Sequence, residues 1–300
     1  MSGDLVQILL SSYNGEKYLR VQLDSILSQT HQNLKVLVRD DGSTDGTREI
    51  LREYEAKEPR IRVIYGENVG LVQSFFRLLE ASDADFVGFS DQDDQWLPDK
   101  VETAWRKIAQ ISGPALYSSN QILVDQDLKP LPEGKELPDP KPCFANAVVE
   151  SMCTGCTVLM NRTLVDALKR AGLPEHAIWH DWWCYLACTY CGTYVFDRGA
   201  HILYRQHGGN RLGSSRSALV MIRNKWEFLK ETRGQLGAML REFQARFRGE
   251  AEKDALVDLV LASEKSLSAR LRLAFGHQVY RQKPLDGLVT RVLFLIGKML

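Results

Sequence analysis

The sequence predicts an α/β protein: a mixed, mainly parallel, Rossmann-like sheet flanked by helices, followed by a helical C-terminal extension. Two observations support this. Short apolar runs alternate with amphipathic segments through the first 90 residues, the rhythm of a sheet with right-handed crossovers. After about residue 215 the pattern changes to long helices. We therefore expect one domain over residues 1–215 and a helical region over residues 216–300.

The first 90 residues predict four strands joined by three helices. The strands are expected at 6–10, 34–38, 61–65 and 85–89, and the helices at 16–29, 47–57 and 71–81. Polar stretches follow three of the strands: SSYN, DDGS and DQDD. Because ligands bind outside the carboxyl ends of parallel strands, we expect these stretches to meet at one edge of the sheet.

The pattern is weaker between residues 112 and 210. LYSSNQILVDQ predicts a strand or hairpin, and the proline-rich LPEGKELPDPKP predicts a loop. CTGCTVLMN (153–161) predicts a strand, and 162–172 predicts a helix that Gly172 ends. IWHDWWCYLAC is helix-like, and YVFD and HILYRQHGGN predict a strand and a loop.

The charge balance and the N-terminal stretch narrow the class of protein. Lys plus Arg equals Asp plus Glu at 38 each, which argues against a nucleic-acid-binding protein. MSGDLVQILL lacks the basic and long apolar regions of a secretory signal, and no stretch reaches about 20 apolar residues. These observations predict a cytosolic protein with reduced thiols.

Two C-x-x-C pairs raise the question of a zinc site. Between the pairs Cys153/Cys156 and Cys188/Cys191 lie 31 residues, more than in most zinc ribbons, and both pairs have apolar neighbours. Small buried core residues are the favoured interpretation, with zinc as the alternative.

The stretch FSDQDDQW places three carboxylates in four positions directly after an apolar run. Asp91, Asp93 and Asp94 repel one another, and each raises the others' pKa. A divalent cation with oxygen ligands, Mg²⁺ or Mn²⁺, would relieve this repulsion. The alternative is a helix N-terminus near Pro98 capped by Asp94, which accounts for one carboxylate only.

The C-terminal region carries two further patterns. A heptad seam predicts packing onto the first domain or a neighbouring helix, with a coiled-coil homodimer as the alternative; its members are Leu219, Ile222, Trp226, Leu229, Leu236, Leu240, Phe243 and Phe247. PLDGLVTRVLFLIGKML predicts an amphipathic helix bordered by Arg281, Lys283, Arg291 and Lys298, which favours attachment to an anionic membrane surface. The alternative is that its apolar face packs onto the helix at 219–247.

Four motifs together resemble a known family. SSYNGEKYL, VRDDGSTDGT, NVG and FSDQDDQWLPDK, in this order and spacing, are similar to glycosyltransferase family 2, which has the GT-A fold. The resemblance covers roughly residues 5–210. TGCT, HDWW and YRQHGGN further resemble rhamnosyltransferase-type members that build O-antigen and other bacterial surface polysaccharides.

The resemblance implies roles for individual residues. Tyr13 matches the position that stacks on the nucleotide base, and Asp41 matches the carboxylate that reads the pyrimidine N–H. An ordinary aromatic and a turn carboxylate are the alternatives. The full set of implied donor-binding residues is Ser11, Tyr13, Asn14, Asp41, Asn68, Asp91 and Gln92. Asp93 and Asp91 form the DxD pair, with Asp93 as the direct metal ligand and His207 completing the metal shell or serving a structural role.

Asp181 in HDWW matches the family's catalytic base, with a surface charge on an aromatic helix as the alternative. Its setting between His180 and two tryptophans would partly desolvate it and raise its pKa, as a base requires. Trp96, Trp182 and Trp183 would suit a wall that binds the sugar or the acceptor, with core packing as the alternative.

The resemblance implies an inverting, metal-dependent transfer of a single sugar. The implied donor is dTDP-L-rhamnose, with a UDP-sugar as the alternative, and the acceptor is a glycan or a polyprenyl-linked glycan. The implied location is peripheral, on the inner face of the bacterial cytoplasmic membrane. Competing hypotheses are a nucleotidyltransferase, which should carry a glycine-rich basic loop after the first strand, and a non-catalytic nucleotide-sugar-binding module.

Overall fold

A computed structural model describes residues 4–132, 140–207 and 234–300 of the chain. These residues form two compact units. The sheet unit comprises residues 4–132, 153–173 and 191–207, and the helical unit comprises 140–152, 174–190 and 234–300. The boundary expected near residue 215 lies outside the described residues.

The sheet unit is built on one mixed sheet of eight strands. They are β1 (Val6–Ser12), β2 (Leu34–Asp40), β3 (Ile61–Tyr65), β4 (Phe86–Ser90), β5 (Gln95–Trp96), β6 (Ala115–Val124), β7 (Leu159–Asn161) and β8 (Thr193–Arg205). Their order is β3-β2-β1-β4-β7-β6-β8-β5. The first four are parallel, β7 is antiparallel to β4 and β6, β8 is parallel to β6, and β5 is antiparallel to β8. The expected mixed, mainly parallel sheet is confirmed.

The helices follow in chain order. They are α1 (Leu19–Leu27), α2 (Thr47–Lys57), α3 (Leu71–Ala81), α4 (Lys100–Ile108), α5 (Phe144–Ala147), α6 (Arg162–Ala171), α7 (His180–Cys191), α8 (Gln235–Arg246), α9 (Ala251–Ala262), α10 (Leu267–Phe275) and α11 (Pro284–Leu295). The bounds expected for α2 and α3 are confirmed. None of the described helices is both long and apolar enough to cross a membrane.

The sheet positions the strand ends because its central strands are buried. All seven residues of β1 are buried, as its apolar run predicts for a strand with neighbours on both edges and layers on both faces. The α1 side chains Leu19, Leu23 and Ile26 pack into the same core as β1. This core fixes the register of β1, and with it the place where the strand ends and the polar loop begins.

Three sequence expectations need correction. The stretch 153–161 is a 3₁₀ turn, Gly155–Thr157, followed by the short β7, whose last residue, Asn161, caps α6 by accepting from the backbone N–H of Leu164. YVFD and HILYR form one strand, β8, because a register shift against β6 absorbs the turn-like residues between them. Asp94 caps no helix: α4 begins at Lys100 after Asp99, and Asp94 lies buried elsewhere.

The helical unit has an aromatic core centred on Phe243 of α8. Phe243 is fully buried, stacks on Phe247 at 4.7 Å between ring centroids, and meets Trp183 and Tyr190 edge to face at 5.6 and 5.5 Å. Leu236 and Leu240 are also buried. The members of the predicted heptad seam from Leu236 to Phe247 therefore belong to this core. Its first four members, Leu219, Ile222, Trp226 and Leu229, lie outside the described residues.

The cysteines support the interpretation as core residues. None of the six, all of them among the described residues, forms a disulfide, and Cys153, Cys156, Cys184 and Cys188 are buried. Within residues 4–132, 140–207 and 234–300, the only grouping of three metal-binding side chains contains a single cysteine, Cys156.

Candidate active site

Three polar loops meet at the carboxyl edge of the parallel strands. β1 lies between β2 and β4, with Ser12 opposite Asp40 and Leu10 opposite Ser90. The loops that begin after these strands therefore start side by side. The expected gathering of SSYN, DDGS and DQDD at one sheet edge is confirmed.

Gln92 ties the DQDD loop to the loop after β1. Its Oε1 accepts from the Tyr13 backbone N–H and from the Ser12 hydroxyl, both at 2.8 Å, and its amide nitrogen donates to the Tyr13 carbonyl at 3.0 Å. A Cβ at Gly15 would meet Gln92 Oε1 at 2.2 Å, so this approach requires glycine. Gln92 thereby fixes the backbone under the Tyr13 ring, which is 47% exposed.

Asn14 joins the same loop to the one after β2. It adopts a positive φ of 50°, a conformation that asparagine tolerates better than most residues. Its backbone N–H donates to the Ser43 hydroxyl at 2.9 Å, and its side-chain oxygen accepts from the Thr44 N–H at 2.8 Å. Ser11, near the end of β1, is buried, and its hydroxyl oxygen lies 2.7 Å from that of Ser74.

The Asp41 carboxylate holds the NVG loop through the loop's backbone N–H groups. The carboxylate is buried, pairs with Arg39, and accepts from the backbone N–H groups of Val69 and Gly70 at 2.9 and 3.0 Å. Asn68 also accepts from the Gly70 N–H, at 3.1 Å. These contacts go to the NVG loop, whereas the Ser43 N–H of the DGSTDGT turn donates to Asp40. Base recognition by Asp41 stays a prediction.

The end of β8 meets the DQDD loop. The Nε2 of His207 lies 2.7 Å from Asp93 Oδ2, and the Arg205 side chain donates to the Asp93 carbonyl at 2.6 Å. Tyr18 organises both partners: its ring stacks on His207 with centroids 5.2 Å apart and lies 4.4 Å from the Arg205 guanidinium. Asp93 and His207 each keep about a fifth of their side-chain surface exposed, so a ligand can reach this pair.

Asp94 points away from this pair into the core. It is fully buried, and its Oδ1 accepts from the Arg205 backbone N–H at 3.0 Å. Burial, followed by the charges of Asp93 and Asp91, raises the pKa of Asp94 well above its ordinary value. The neighbouring Cys156 thiol also has a raised pKa, first because of burial, and burial lowers the pKa of Lys100 to about 8.

The donor set suits a hard divalent cation at Asp93 and His207. Two adjacent ligands of an octahedral ion at about 2.1 Å are separated by roughly 3 Å, and the Asp93 and His207 ligand atoms already lie 2.7 Å apart. Asp91 belongs to the same loop, but the structure groups its carboxylate with the ligand atoms of Asp94 and Cys156, within 4.8 Å, and not with the pair of Asp93 and His207. Cys156 is not suited to such an ion, because Mg²⁺ and Mn²⁺ prefer oxygen and its buried thiol resists ionisation.

The helical unit carries Asp181 and the two neighbouring tryptophans. Asp181 lies in the first turn of α7, is partly exposed, and accepts from the Trp182 backbone N–H at 2.7 Å. Trp182 is buried with its indole N–H on the Ala147 carbonyl at 2.7 Å, and Trp183 is fully buried. In the sheet unit Trp96 is likewise buried, beneath Lys100 at 3.6 Å from the ring centroid. The burial of all three rings favours core packing over the sugar or acceptor wall.

Sequence reasoning missed Arg39, Arg205 and Tyr18. Arg39 is 2% exposed although it carries a charge, and it donates to the Ser74 hydroxyl and the Glu67 carbonyl besides pairing with Asp41. An arginine inside the otherwise apolar LKVLVRD run was a detectable signal, because a buried charge needs partners. Arg205 and Tyr18 carried no comparable signal, since their contact depends on the tertiary fold.

Known proteins resemble this chain in sequence and in fold. The model of the family "Glycosyl transferase family 2" matches residues 7–168. The dTDP-rhamnosyl transferase RfbG of Shigella flexneri is 32% identical over 238 residues, which are 72% of this chain and 80% of that protein. A glucosyltransferase of Escherichia coli, WfgD, whose name gives a diphosphoundecaprenol-linked acceptor, is 29% identical over 55% of this chain and 64% of its own length.

Solved structures share the fold at lower identity. TarS 1-349 of S. aureus, crystallised with UDP-GlcNAc, superimposes with a TM-score of 0.61 at 17% identity, covering 98% of this chain and 92% of that one. The mannosyltransferase PcManGT of Pyrobaculum calidifontis, in complex with GDP-Man and Mn²⁺, gives a TM-score of 0.56 at 16% identity over 98% and 85% of the two chains. These similarities confirm the GT-A fold. The family model covers more than half of the sequence, and the chain belongs to glycosyltransferase family 2.

Proposed function

We propose that this glycosyltransferase moves a single L-rhamnose from dTDP-L-rhamnose to a glycan or polyprenyl-linked glycan in bacterial surface polysaccharide synthesis, with inversion at the anomeric carbon. The observation that carries the proposal is the Asp93–His207 pair at the carboxyl edge of the sheet, where an ion bound to the donor diphosphate would sit. The similarity to RfbG supports the rhamnosyl donor.

The loops of the sheet unit form the nucleotide end of this site. The exposed Tyr13 ring offers a face for the base, and Gln92 holds the backbone beneath it. Asp41 holds the NVG loop in place by accepting hydrogen bonds from its backbone, and Asn68 belongs to that loop. A base-stacking residue needs a fixed backbone, because each rotamer or loop frozen on binding reduces the affinity.

Asp93 and His207, with Asp91, would hold Mg²⁺ or Mn²⁺. The bound cation would supply positive charge for the leaving nucleoside diphosphate. Arg205 and Tyr18 keep the two ligands together: Arg205 fixes the Asp93 backbone, and Tyr18 supports the imidazole ring. The protein thus prepares the pair before the donor arrives.

Asp181 is the proposed general base. Its carboxylate would accept the proton of the acceptor hydroxyl while the hydroxyl oxygen attacks the anomeric carbon, and the diphosphate would leave on the opposite face. Asp181 accepts a hydrogen bond from the Trp182 N–H, which fixes its orientation at the start of α7.

The donor proposal is tested with purified protein and a panel of dTDP- and UDP-sugars with Mn²⁺. We expect the melting temperature to rise most with dTDP-L-rhamnose, and transfer to stop on adding EDTA. Asp93→Asn should abolish the donor-induced rise in melting temperature and the transfer itself. The matched control Asp166→Asn, on the outer face of α6, should retain both. A larger shift with a UDP-sugar would replace the rhamnosyl donor, and transfer that survives EDTA would exclude the metal.

The base is tested separately. Asp181→Asn should bind the donor as well as the wild type and lose roughly 10²–10⁴-fold in transfer rate, because the amide keeps the size of the side chain and lacks its basicity. Retention of more than about a tenth of the wild-type rate would show that another group removes the proton.

The second candidate for the donor is a UDP-sugar, since TarS 1-349, which shares the fold, was crystallised with UDP-GlcNAc. For the acceptor, the WfgD name supports a polyprenyl diphosphate carrier. Such a carrier is a lipid, so we place the enzyme peripherally on the inner face of the cytoplasmic membrane.

A further inference from the structure

The last two helices of the helical unit expose an unusual amount of apolar surface. Of the thirteen exposed large apolar side chains in the described part of the chain, nine lie in α10 and in or directly after α11. The nine are Leu267, Leu271, Phe275, Leu285, Leu288, Val289, Val292, Leu295 and Ile296. Phe275 and Leu285 are the most exposed of them, at 68% and 70%. We call these residues the α10–α11 surface.

These side chains are exposed because the two helices bury other faces. Ala269, Leu273 and Ala274 of α10 are buried, and so are Thr290 and Phe294 of α11. The helices therefore fold as packed elements, and their outward apolar residues are not needed to complete the core. Exposed apolar side chains concentrated on two neighbouring helices in this way indicate an interaction site.

Charge distinguishes a membrane from a protein partner. Residues 267–300 contain six Lys or Arg and one acidic residue, Asp286, in a chain whose formal net charge is zero. Asp286 is buried, while Arg272, Lys283 and Lys298 are exposed. Two copies pressed together through this surface would bring like charges into apposition, whereas anionic headgroups would neutralise them.

The helix length fits a position in the plane of the interface. α11 has 12 residues, which span about 18 Å, well short of the roughly 30 Å hydrocarbon core of a bilayer. An amphipathic helix of this kind lies parallel to the membrane with its apolar side chains at the boundary between headgroups and acyl chains.

We propose that the α10–α11 surface docks on an anionic phospholipid bilayer, with both helices contributing apolar side chains and Arg272, Lys283 and Lys298 contacting the headgroups. The proposal deepens the peripheral location stated above and rests on it for its biological purpose. Its physical content, a lipid-binding face made of two helices, stands on the exposure and charge of these residues.

The test is flotation of the intact protein with vesicles, without donor or acceptor. We expect it to float with vesicles containing one third phosphatidylglycerol in phosphatidylcholine and to bind far less to phosphatidylcholine alone. Leu285→Gln with Leu288→Gln should weaken binding at least about tenfold, because two apolar side chains no longer enter the interface. The matched control, Val21→Gln with Tyr65→Gln, replaces exposed apolar residues of the sheet unit and should bind as the wild type.

A second variant tests the charges. Arg272→Gln with Lys298→Gln should reduce binding to the phosphatidylglycerol vesicles by about fivefold per residue removed and leave the residual binding to phosphatidylcholine unchanged. A contribution from α10 is tested by Phe275→Gln alone, which should also weaken binding. Circular dichroism melts of all variants should match the wild type, since every substituted side chain is exposed.

Three results would overturn the proposal: no flotation of the intact protein, equal flotation of the leucine variant, or a dimer in solution that the leucine variant dissociates while neither protein binds vesicles. The last result would assign the surface to a second copy. Flotation without sugar transfer would refute the proposed function alone, and transfer to a water-soluble acceptor without flotation would refute the membrane surface alone.

Discussion

His180, which precedes the proposed base, should make the protein sensitive to acid. It is buried at the start of α7, and burial lowers the pKa of its imidazole from 6.5 to about 3. Between these two values the unfolded chain binds a proton and the folded chain does not. The free energy of unfolding therefore falls as the pH decreases below about 6.5.

The size of this effect follows from the two pKa values. At pH 5.0 the unfolded imidazole is mostly protonated, 1.5 units below the ordinary pKa of 6.5. Each unit corresponds to about 1.4 kcal/mol, so His180 should account for about 2 kcal/mol of the stability lost between pH 7.5 and pH 5.0. Over the same range the substitution His180→Gln, which cannot be protonated, should remove this loss.

The measurement is urea unfolding of the wild type and His180→Gln at pH 7.5, 6.0 and 5.0, followed by tryptophan fluorescence. Trp182 and Trp183 lie in the same unit as His180 and report its unfolding. Carboxylates titrate in both proteins, so the difference between the two pH dependences isolates the imidazole. Parallel curves, with a constant difference at all three pH values, would refute a neutral buried His180.

Three further predictions concern stability and are measured by urea unfolding. Phe243→Ala should lower the free energy of unfolding by about 3–5 kcal/mol, because it empties the centre of the aromatic core. Phe243→Leu should lower it clearly less, and equal losses for the two variants would contradict the packing. Gly70→Ala should lower the free energy of unfolding by about 1–3 kcal/mol from backbone strain alone, since φ is +82° and a Cβ would meet no atom within 4 Å. An unchanged urea midpoint would show that the backbone relaxes. Asp94→Ala should cost about 1–3 kcal/mol by leaving the Arg205 N–H without its acceptor, and Asp94→Asn, which keeps an oxygen there, should cost less.

The positions of the first four strands and the gathering of three polar loops at one sheet edge could be predicted from the sequence, because both depend on local patterns. Apolar runs followed by turn residues located β1, β2 and β4, and the parallel topology then fixed where their loops meet. The strands in the second half of the chain were harder to predict from the sequence. β8 joins two short apolar stretches only because β6 lies beside it, and no local signal shows that pairing. The Tyr18–His207 stack is likewise a tertiary contact between residues far apart in the chain.

The three carboxylates of FSDQDDQW tolerate one another because the structure places them in different environments. Asp93 turns toward His207 and keeps part of its surface exposed. Asp94 turns into the core, where burial raises its pKa well above the ordinary value and favours the neutral acid. Asp94 is therefore removed from the exposed end of the loop, where Asp93 lies beside His207. In the proposed metal site, Asp91, Asp93 and His207 would leave coordination positions for the donor diphosphate, whereas a third carboxylate would compete with the diphosphate for them. Asp94 instead holds β8 through the Arg205 N–H, and so helps to bring His207 to the loop.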